Sequence, residues 1–292
     1  MYQYYIYGLG VHTEIKLYHL QEQEVAQDVL IHYGNVPDDI AKYTEQGLAS
    51  SMSPVRAWFR NDVGHFVIRD GNDILVQPIG STDENDIASF ILGWCIAFLF
   101  QQRGCSAIHC SAIEVDEQAV LISGFSGAGK STIALSLIDA GYRYLADDIA
   151  MVNPKGDMMI QPAFPQQKVC RNIAEQMGTD KLLYINEKKD KFAYYNEKDF
   201  CDVPRKLTTM FILRKYEGDQ VRIEEITGIE KLNCVLKNLF LLDAYRAMGF
   251  TLEEKARSLE LAGKITIYQI SRPEKKDTVQ EIKDAIIQLV KR

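Results

Sequence analysis

Along the first eighty residues, hydrophobic and polar positions alternate in short runs bounded by turn formers, the period-two pattern of half-buried strands. Residues 2–7, 11–18 and 27–33 are rich in Tyr, Ile and Val, with Gly8 and Gly10 between the first two and Gly34-Asn35 closing the third. Residues 55–60, 63–69 and 74–79 follow, separated by Asn61-Asp62 and by Asp70-Gly71-Asn72-Asp73. Such polar links suit tight hairpins, so these three segments are expected to form a β-meander. The stretch 38–53 is polar and is expected to be a mobile connection.

The pattern then changes. Asp83-Glu84-Asn85-Asp86 opens an apolar helix over 87–100, acids being favoured at the positive end of a helix dipole, and Gly104 stops it. Interrupted by Ser89 and Gly93, this run is shorter than the ~20 residues of a membrane span and reads as a buried helix. Residues 107–115 and 119–123 read as strands turned by Asp116-Glu117-Gln118. A helix over 131–140 ends at Gly141, which suits a left-handed cap. Strands 142–146 and 149–152 flank an acid pair, Asp147-Asp148. Strands at 208–213, 221–226 and 265–270 alternate with helices at 230–248, 253–261 and 278–291. The expected class is α/β, divided into a β-rich region (1–80) and an α/β domain (81–292).

Composition narrows the possible chemistry. The chain has 292 residues, 47% hydrophobic and 25% charged, enough for a sizeable core. With 33 Lys and Arg against 40 Asp and Glu, the net charge of -7 argues against bulk electrostatic binding of nucleic acid. Cys95, Cys105, Cys110, Cys170, Cys201 and Cys234 form no C-x-x-C pair, so reduced, buried thiols are expected. The start Met1-Tyr-Gln-Tyr-Tyr lacks a basic, apolar signal segment, which makes a cytoplasmic protein with no membrane partner the expectation.

The strongest chemical signal is Gly124-Phe125-Ser126-Gly127-Ala128-Gly129-Lys130-Ser131, which fits G-x-x-x-x-G-K-[ST] between a strand and a helix, with Thr132 next. Glycines let the backbone curl so that several N–H groups converge on one phosphate, and the helix N-terminus adds its dipole. Lys130 can neutralise terminal phosphates, while the Ser131 hydroxyl can complete the coordination of Mg²⁺. Adjacent carboxylates at Asp147 and Asp148 can divide the remaining work, one positioning the metal and the other accepting a proton. Such a pair between strands also fits an ordinary turn. His109 could reach the phosphates if its strand pairs with 119–123, or it could be a core histidine. His12, His19, His32 and His65 have no catalytic company and are expected to be structural.

The run from His109 through Val152 resembles the catalytic domain of HPr kinase/phosphorylase. That family shares a G-x-S-G-x-G-K-S loop, a histidine about twenty residues before the lysine, and an Ala-Asp-Asp element, present here as Ala146-Asp147-Asp148. Its core is related to ATP-dependent phosphoenolpyruvate carboxykinase. The whole chain looks like the smaller HPr-kinase-like proteins of peptide natural-product genes, including lasso peptide kinases, through Tyr7-Gly8-Leu9, Arg103-Gly104 and Gly141-Tyr142. The resemblance implies a P-loop catalytic domain with ATP and Mg²⁺ as cofactors. It also implies a peptide or protein serine as acceptor. Gly124, Ser126, Gly127, Ala128, Gly129, Lys130, Ser131 and Thr132 would hold the nucleotide, Ser131 and Asp148 the metal, and Asp147, Asp148, His109 and Lys130 would be catalytic. Lys168 and Arg171 lie where the family carries cations on the substrate side, although a solvated basic loop would look the same. The charge run from Glu187 to Lys191 reads as solvent-facing, with Lys191 an outside candidate. Thr132 stands where HPr kinases carry a metal-binding glutamate, and their phosphorylase signature is missing, which points away from HPr as acceptor and from dephosphorylation.

Two other classes share these residues. A small-molecule or phosphoenolpyruvate carboxykinase-like enzyme would turn over free serine or a metabolite, and a nucleotide sensor would bind without needing the acid pair. The retained Asp147-Asp148 favours chemistry. Whether the chain forms a homo-oligomer is left open by its sequence.

Overall fold

A computed structural model describes residues 1–18, 20–171, 182–186 and 191–291, with the backbone alone at 170, 182–186 and 191. The N-terminal strands are β1 (Tyr2–Ile6), β2 (Leu9–Thr13), β3 (Val29–Tyr33), β4 (Ser50–Met52), β5 (Arg56–Arg60), β6 (Gly64–Arg69) and β7 (Asp73–Pro78). They form one sheet in the order β1-β2-β3-β7-β6-β5-β4. The β5-β6-β7 meander is antiparallel as expected, turning at Asp70 and Gly71 with φ of 52° and 66°. Helix α1 (Asp38–Glu45) and β4 occupy the stretch expected to be a connection. Only Ile40 of α1 is buried, against Trp58, Val67 and Leu75.

Helix α2 (Glu84–Phe90) is capped by Asp83, whose carboxylate accepts the Asn85 N–H, and continues through a widened turn at Ile91–Cys95 into α3 (Ile96–Gln102). The buried face of this long helix packs on the N-terminal sheet, with Phe98 stacked on Phe59 and Phe100 edge-on to Tyr7. Among the described residues, no helix is long and apolar enough to cross a membrane.

The remaining strands are β8 (Ser106–Ile108), β9 (Cys110–Val115), β10 (Gln118–Gly124), β11 (Arg143–Ala146), β12 (Ala150–Val152), β13 (Met159–Ile160), β14 (Gln166–Cys170), β15 (Leu182–Asn186), β16 (Lys191–Tyr195), β17 (Arg205–Tyr216), β18 (Arg222–Ile226) and β19 (Thr266–Pro273). The central sheet runs β11-β9-β10-β17-β19-β18, with β13 on β17; β8 pairs β12, and β14-β16-β15 form a third group. Helix α4 (Lys130–Asp139) follows β10 and ends before Gly141, whose φ is 93°, the expected left-handed cap. With α8 (Val279–Val290), it packs on one face of the central sheet around Ile133, Leu137, Ile282 and Ile286.

Two predicted segments are broken in the structure. Residues 107–115 split at His109 into β8 and β9, because the His109 N–H donates to the carbonyl of Asn238 instead of a ladder partner (2.8 Å). The predicted helix 230–248 is likewise divided into α5 (Ile229–Lys237) and α6 (Leu242–Met248). At the break the Asn238 side chain bonds back to the Cys234 carbonyl (2.7 Å), a local alternative to helix that Asn readily offers. Helix α7 (Leu252–Lys264) begins with a capping box between Thr251 and Glu254. Cys95, Cys105, Cys110 and Cys201 are buried and unpaired and Cys234 is partly buried, while the Cys170 side chain lies outside the described residues.

Glu114 ties three strands together at the end of the central sheet remote from Gly124. From β9 its carboxylate accepts Arg143 of β11 (2.8 Å) and Arg205 of β17 (2.5 Å). Burial pushes this carboxyl up, but Arg205 and Arg143 outweigh it and hold it below its ordinary value of 4.5. A depressed carboxyl stabilises the fold above its unfolded pKa, and that contribution is lost as pH falls through the lower folded value. Glu114→Gln should therefore destabilise the protein at neutral pH, and urea titrations of the two proteins should converge as pH falls through that lowered folded value.

Candidate active site

The site is built where one edge of the central sheet frays. Strands β10, β11, β17 and β19 run in one direction and β9 runs against them, so their carboxyl ends and the start of β9 share an edge. Gly124 ends β10 and Asp147 directly follows β11, with β9 between. Two strand spacings separate these positions by about 10 Å. Carboxyl ends of parallel strands are where open α/β sheets hold ligands.

The glycine loop needs its glycines. A Cβ on Gly124 would lie 2.4 Å from the Leu213 carbonyl oxygen, and φ there is 137°. At Gly129, with φ of 105°, a Cβ would lie 2.7 Å from Nη1 of Arg272. That guanidinium, delivered by β19, donates to the Ala128 carbonyl (3.2 Å) and braces the loop from below. No side chain caps α4, so the positive end of its dipole faces the loop. Lys130 folds back, its ammonium donating to the carbonyls of Gly124 (2.8 Å) and Phe125 (3.4 Å). Phe125, Ser126, Gly127 and Thr132 are exposed, Ser131 is half-buried and Ala128 is buried.

The acid pair is held from three sides. Asp147 Oδ1 accepts the Ser111 hydroxyl (2.7 Å) and Oδ2 accepts the backbone N–H of Lys168 (2.8 Å). Asp148 Oδ2 accepts the Lys168 ammonium (2.7 Å), while His109 Nδ1 lies 3.5 Å from Oδ1 and donates to the Asp148 carbonyl (3.1 Å). Asp148 has φ of 75°, a left-handed conformation that costs a non-glycine residue about 1–2 kcal/mol and turns its carboxylate toward Lys168. Behind the turn the buried Tyr7 hydroxyl donates to the Ile149 carbonyl (3.3 Å).

The electrostatics bind loop and pair into one field. Burial pushes the Asp147 carboxyl up and the neighbouring Asp148 adds to this, against the lowering effect of Ser111 and of both Lys168 donors. The buried Cys110 thiol is pushed up by its burial and by Asp147, while Lys130 lowers it, so the loop lysine and the acids act on the same point. Burial, Asp148, Cys110 and Asp147 likewise push the Tyr7 phenol up and keep it neutral.

The structure thus brings together His109, Asp147, Asp148 and Lys168, and sets the loop from Gly124 to Thr132 on the same sheet edge. Arg171, exposed just past β14, lies over the Phe192 ring (5.5 Å). The run 187–190 and the Lys191 side chain lie outside the described residues. Sequence reasoning missed Ser111, Arg272 and the part played by Tyr7. Ser111 had a signal, being two residues from His109; Arg272 had none, since only the parallel pairing of β17 and β19 carries it to the loop. Among the described residues, no group of three or more His, Cys, Asp or Glu forms a metal cage. The hard oxygens of Asp148 and Ser131 fit Mg²⁺, which is usually held by one or two carboxylates together with phosphate oxygens.

A carboxyl whose folded pKa is raised stabilises the fold only below its unfolded pKa, and it becomes a burden as pH rises through the folded value. Asp147→Asn should therefore gain stability relative to the parent as pH is raised from the ordinary carboxyl value of 3.8 through the raised folded value, read from thermal midpoints across that range. A difference that stays flat or shrinks would mean that the parent carboxyl ionises without strain.

Residues 103–175 match the family model described as HPr Serine kinase C-terminal domain. The HPr kinase/phosphorylase of Chlorobium phaeobacteroides is 42% identical over 55 residues, 19% of this chain and 17% of that protein. The HPr kinase/phosphorylase of an Exiguobacterium species is 36% identical over 73 residues, 25% of this chain and 23% of that protein. The matched stretch thus spans between a sixth and a quarter of these relatives. The structure of the Hpr(Ser) kinase/phosphatase from Coxiella burnetii aligns with a TM-score of 0.30 at 14% identity, covering 63% of this chain and 93% of that one. The segment that carries His109, the glycine loop, the acid pair and Lys168 is the segment matched, and there the protein is HPr-kinase-like.

Proposed function

We propose that this protein is a kinase that uses ATP and Mg²⁺ to transfer the γ-phosphoryl group to a hydroxyl, with a serine of a peptide or protein as acceptor. The observation that carries the reading is the meeting, on one sheet edge, of an uncapped helix start behind a glycine loop with a carboxylate pair clamped by Lys168. Catalysis is assigned to residues 81–292, with residues 1–80 as a β-rich region buttressing the acid turn through Tyr7.

In this reading the loop amides and Lys130 bind the nucleotide phosphates, Lys130 exchanging its two loop carbonyls for phosphate oxygens. Ser131 and Asp148 would hold Mg²⁺, which would neutralise phosphate charge. Asp147 accepts from Ser111 and the Lys168 N–H, and Asp148 accepts the Lys168 ammonium, so both carboxylates are held oriented at one turn. As the acceptor oxygen bonds to the γ-phosphorus and the bond to the bridging oxygen breaks, the hydroxyl proton passes to a carboxylate of the pair. His109 fixes the left-handed Asp148, and Lys168 offsets the negative charge that spreads over the transferring group. Arg171 is a second cation on the acceptor side.

The test incubates the protein with Mg²⁺ and γ-labelled ATP, offering serine-containing peptides and, separately, free serine, with intact mass as the readout. A gain of one phosphate on peptide is expected. Lys130→Ala should weaken nucleotide binding by about 10- to 100-fold, the worth of a charge-assisted hydrogen bond. Asp148→Asn should keep the unfolding midpoint near the parent's and cut turnover by ~10²–10⁴-fold. Normal turnover in Asp148→Asn would overturn the mechanism, and label on free serine alone would overturn the peptide acceptor.

A further inference from the structure

A groove of about 470 Å³ opens between the edge of β1 and the segment 162–165, away from the phosphate loop. Strand β1 is the outer strand of its sheet. In an antiparallel ladder, residues alternate between turning their N–H and C=O toward the partner strand and turning them away. Gly10, which faces Tyr5 across the ladder, gives its N–H to Asp28 Oδ2 (2.8 Å) and receives the Asp28 N–H on its carbonyl (2.8 Å). Neither group is therefore available to Tyr5, whose own N–H and C=O point outward.

The outward positions on either side are already taken. The Gln3 carbonyl accepts the Gln23 N–H (3.1 Å), and the Tyr7 N–H donates to the Pro162 carbonyl (2.9 Å). Between these two clamps, the Tyr5 donor and acceptor face the groove without a partner among the described residues. The opening has the form of a bridge position for one residue of an extended chain, which would bond to both groups.

The walls say what kind of chain fits. Phe164, Pro165 and Phe200 give apolar surface, and Glu197 and Asp202 supply two carboxylates, with no Lys, Arg or His among the described lining residues. Asp202 is exposed, and the Glu197 carboxylate accepts the Tyr195 hydroxyl (3.3 Å). The wall at Pro165 runs straight into β14, and three residues on, Lys168 holds both acids. At ~3.3 Å per extended residue, that is a span of about 10 Å.

We propose that this groove binds an extended segment of the acceptor polypeptide, pairing one of its residues with the backbone of Tyr5 and placing a Lys or Arg side chain against Glu197 and Asp202. The assignment of that segment to the acceptor rests on the kinase reading, and the cation would lie about three to six residues from the phosphorylated serine. Binding in the groove does not depend on that reading.

The test uses the full chain without nucleotide. The probes are fluorescein-labelled twelve-residue peptide mixtures, randomised except for Lys, Glu or Gln at one central position, and anisotropy gives their apparent Kd. The Lys mixture should bind at least about fivefold more tightly than the Glu mixture. Tyr5→Pro removes the outward donor while sparing the β1–β2 ladder, and edge strands tolerate proline where the N–H faces outward. It should weaken every mixture by about tenfold. Asp202→Lys, an exposed change, should reverse the order of the Lys and Glu mixtures. Equal binding of the two mixtures, parental binding by both variants, or no binding at about 1 mM would each overturn the proposal. A chain that binds these peptides yet transfers no phosphate to any serine would overturn the kinase reading alone. Transfer without the Lys preference would overturn the groove alone.

Discussion

Two donors of a single residue hold the candidate site together. Lys168 gives its backbone N–H to Asp147 and its ammonium to Asp148, so one position on β14 neutralises and orients a pair of adjacent like charges. Without it the pair would be a solvated turn whose carboxylates repel each other. The placement of β14 is itself secured by backbone. The Ala163 N–H donates to Leu145 of β11 (2.8 Å), just before the acids, and the Pro162 carbonyl accepts from Tyr7. The chain that delivers the cation is thus stitched to the strand that delivers the acids.

That clamp sustains an arrangement the local backbone does not favour. Asp148 adopts a left-handed conformation, and Asp147 is enclosed closely enough for its proton affinity to rise. Strain and desolvation of this kind persist only where the surroundings over-determine them. Here the surroundings include the main core, which runs from Tyr4 and Phe66 through the α2–α3 helix to Leu145 and Ile149. Tyr7 lies edge-on to both Phe100 and Phe164, with its hydroxyl on the Ile149 carbonyl, so the N-terminal hairpin bears directly on the acid turn.

The glycine loop is braced in the same manner, by a residue distant in sequence. Arg272 supports the Ala128 carbonyl only because β19 lies parallel to β17, itself parallel to β10. Parallel neighbours bring their carboxyl ends to one edge, and that single topological fact sets loop, acids and brace side by side. The hydrogen bond to Asn238 that breaks the β8–β9 strand has a similar effect, for it frees His109 from the ladder to face Asp148.

The sequence by itself determined whatever depends on neighbours along the chain. Hairpin turns at Asp70-Gly71, the left-handed cap at Gly141, the glycine loop ahead of α4 and the acid pair between short strands all follow from φ preferences, hydrogen-bonding habits and period within a few residues. Lys168 could be proposed only through a family resemblance, and Ser111 only through its spacing from His109. Tertiary structure decided the rest. Helix α1 buries a single isoleucine, the strand at His109 breaks on a bond to a residue far along the chain, and Arg272 reaches the loop across two strand pairings. Each of these depends on long-range pairing, which local propensity does not encode because it involves no neighbouring residue. The physical reason is that an apolar seat for Ile40, an acceptor for the His109 N–H and a guanidinium for the Ala128 carbonyl each come from an element the chain reaches only once the sheets have formed.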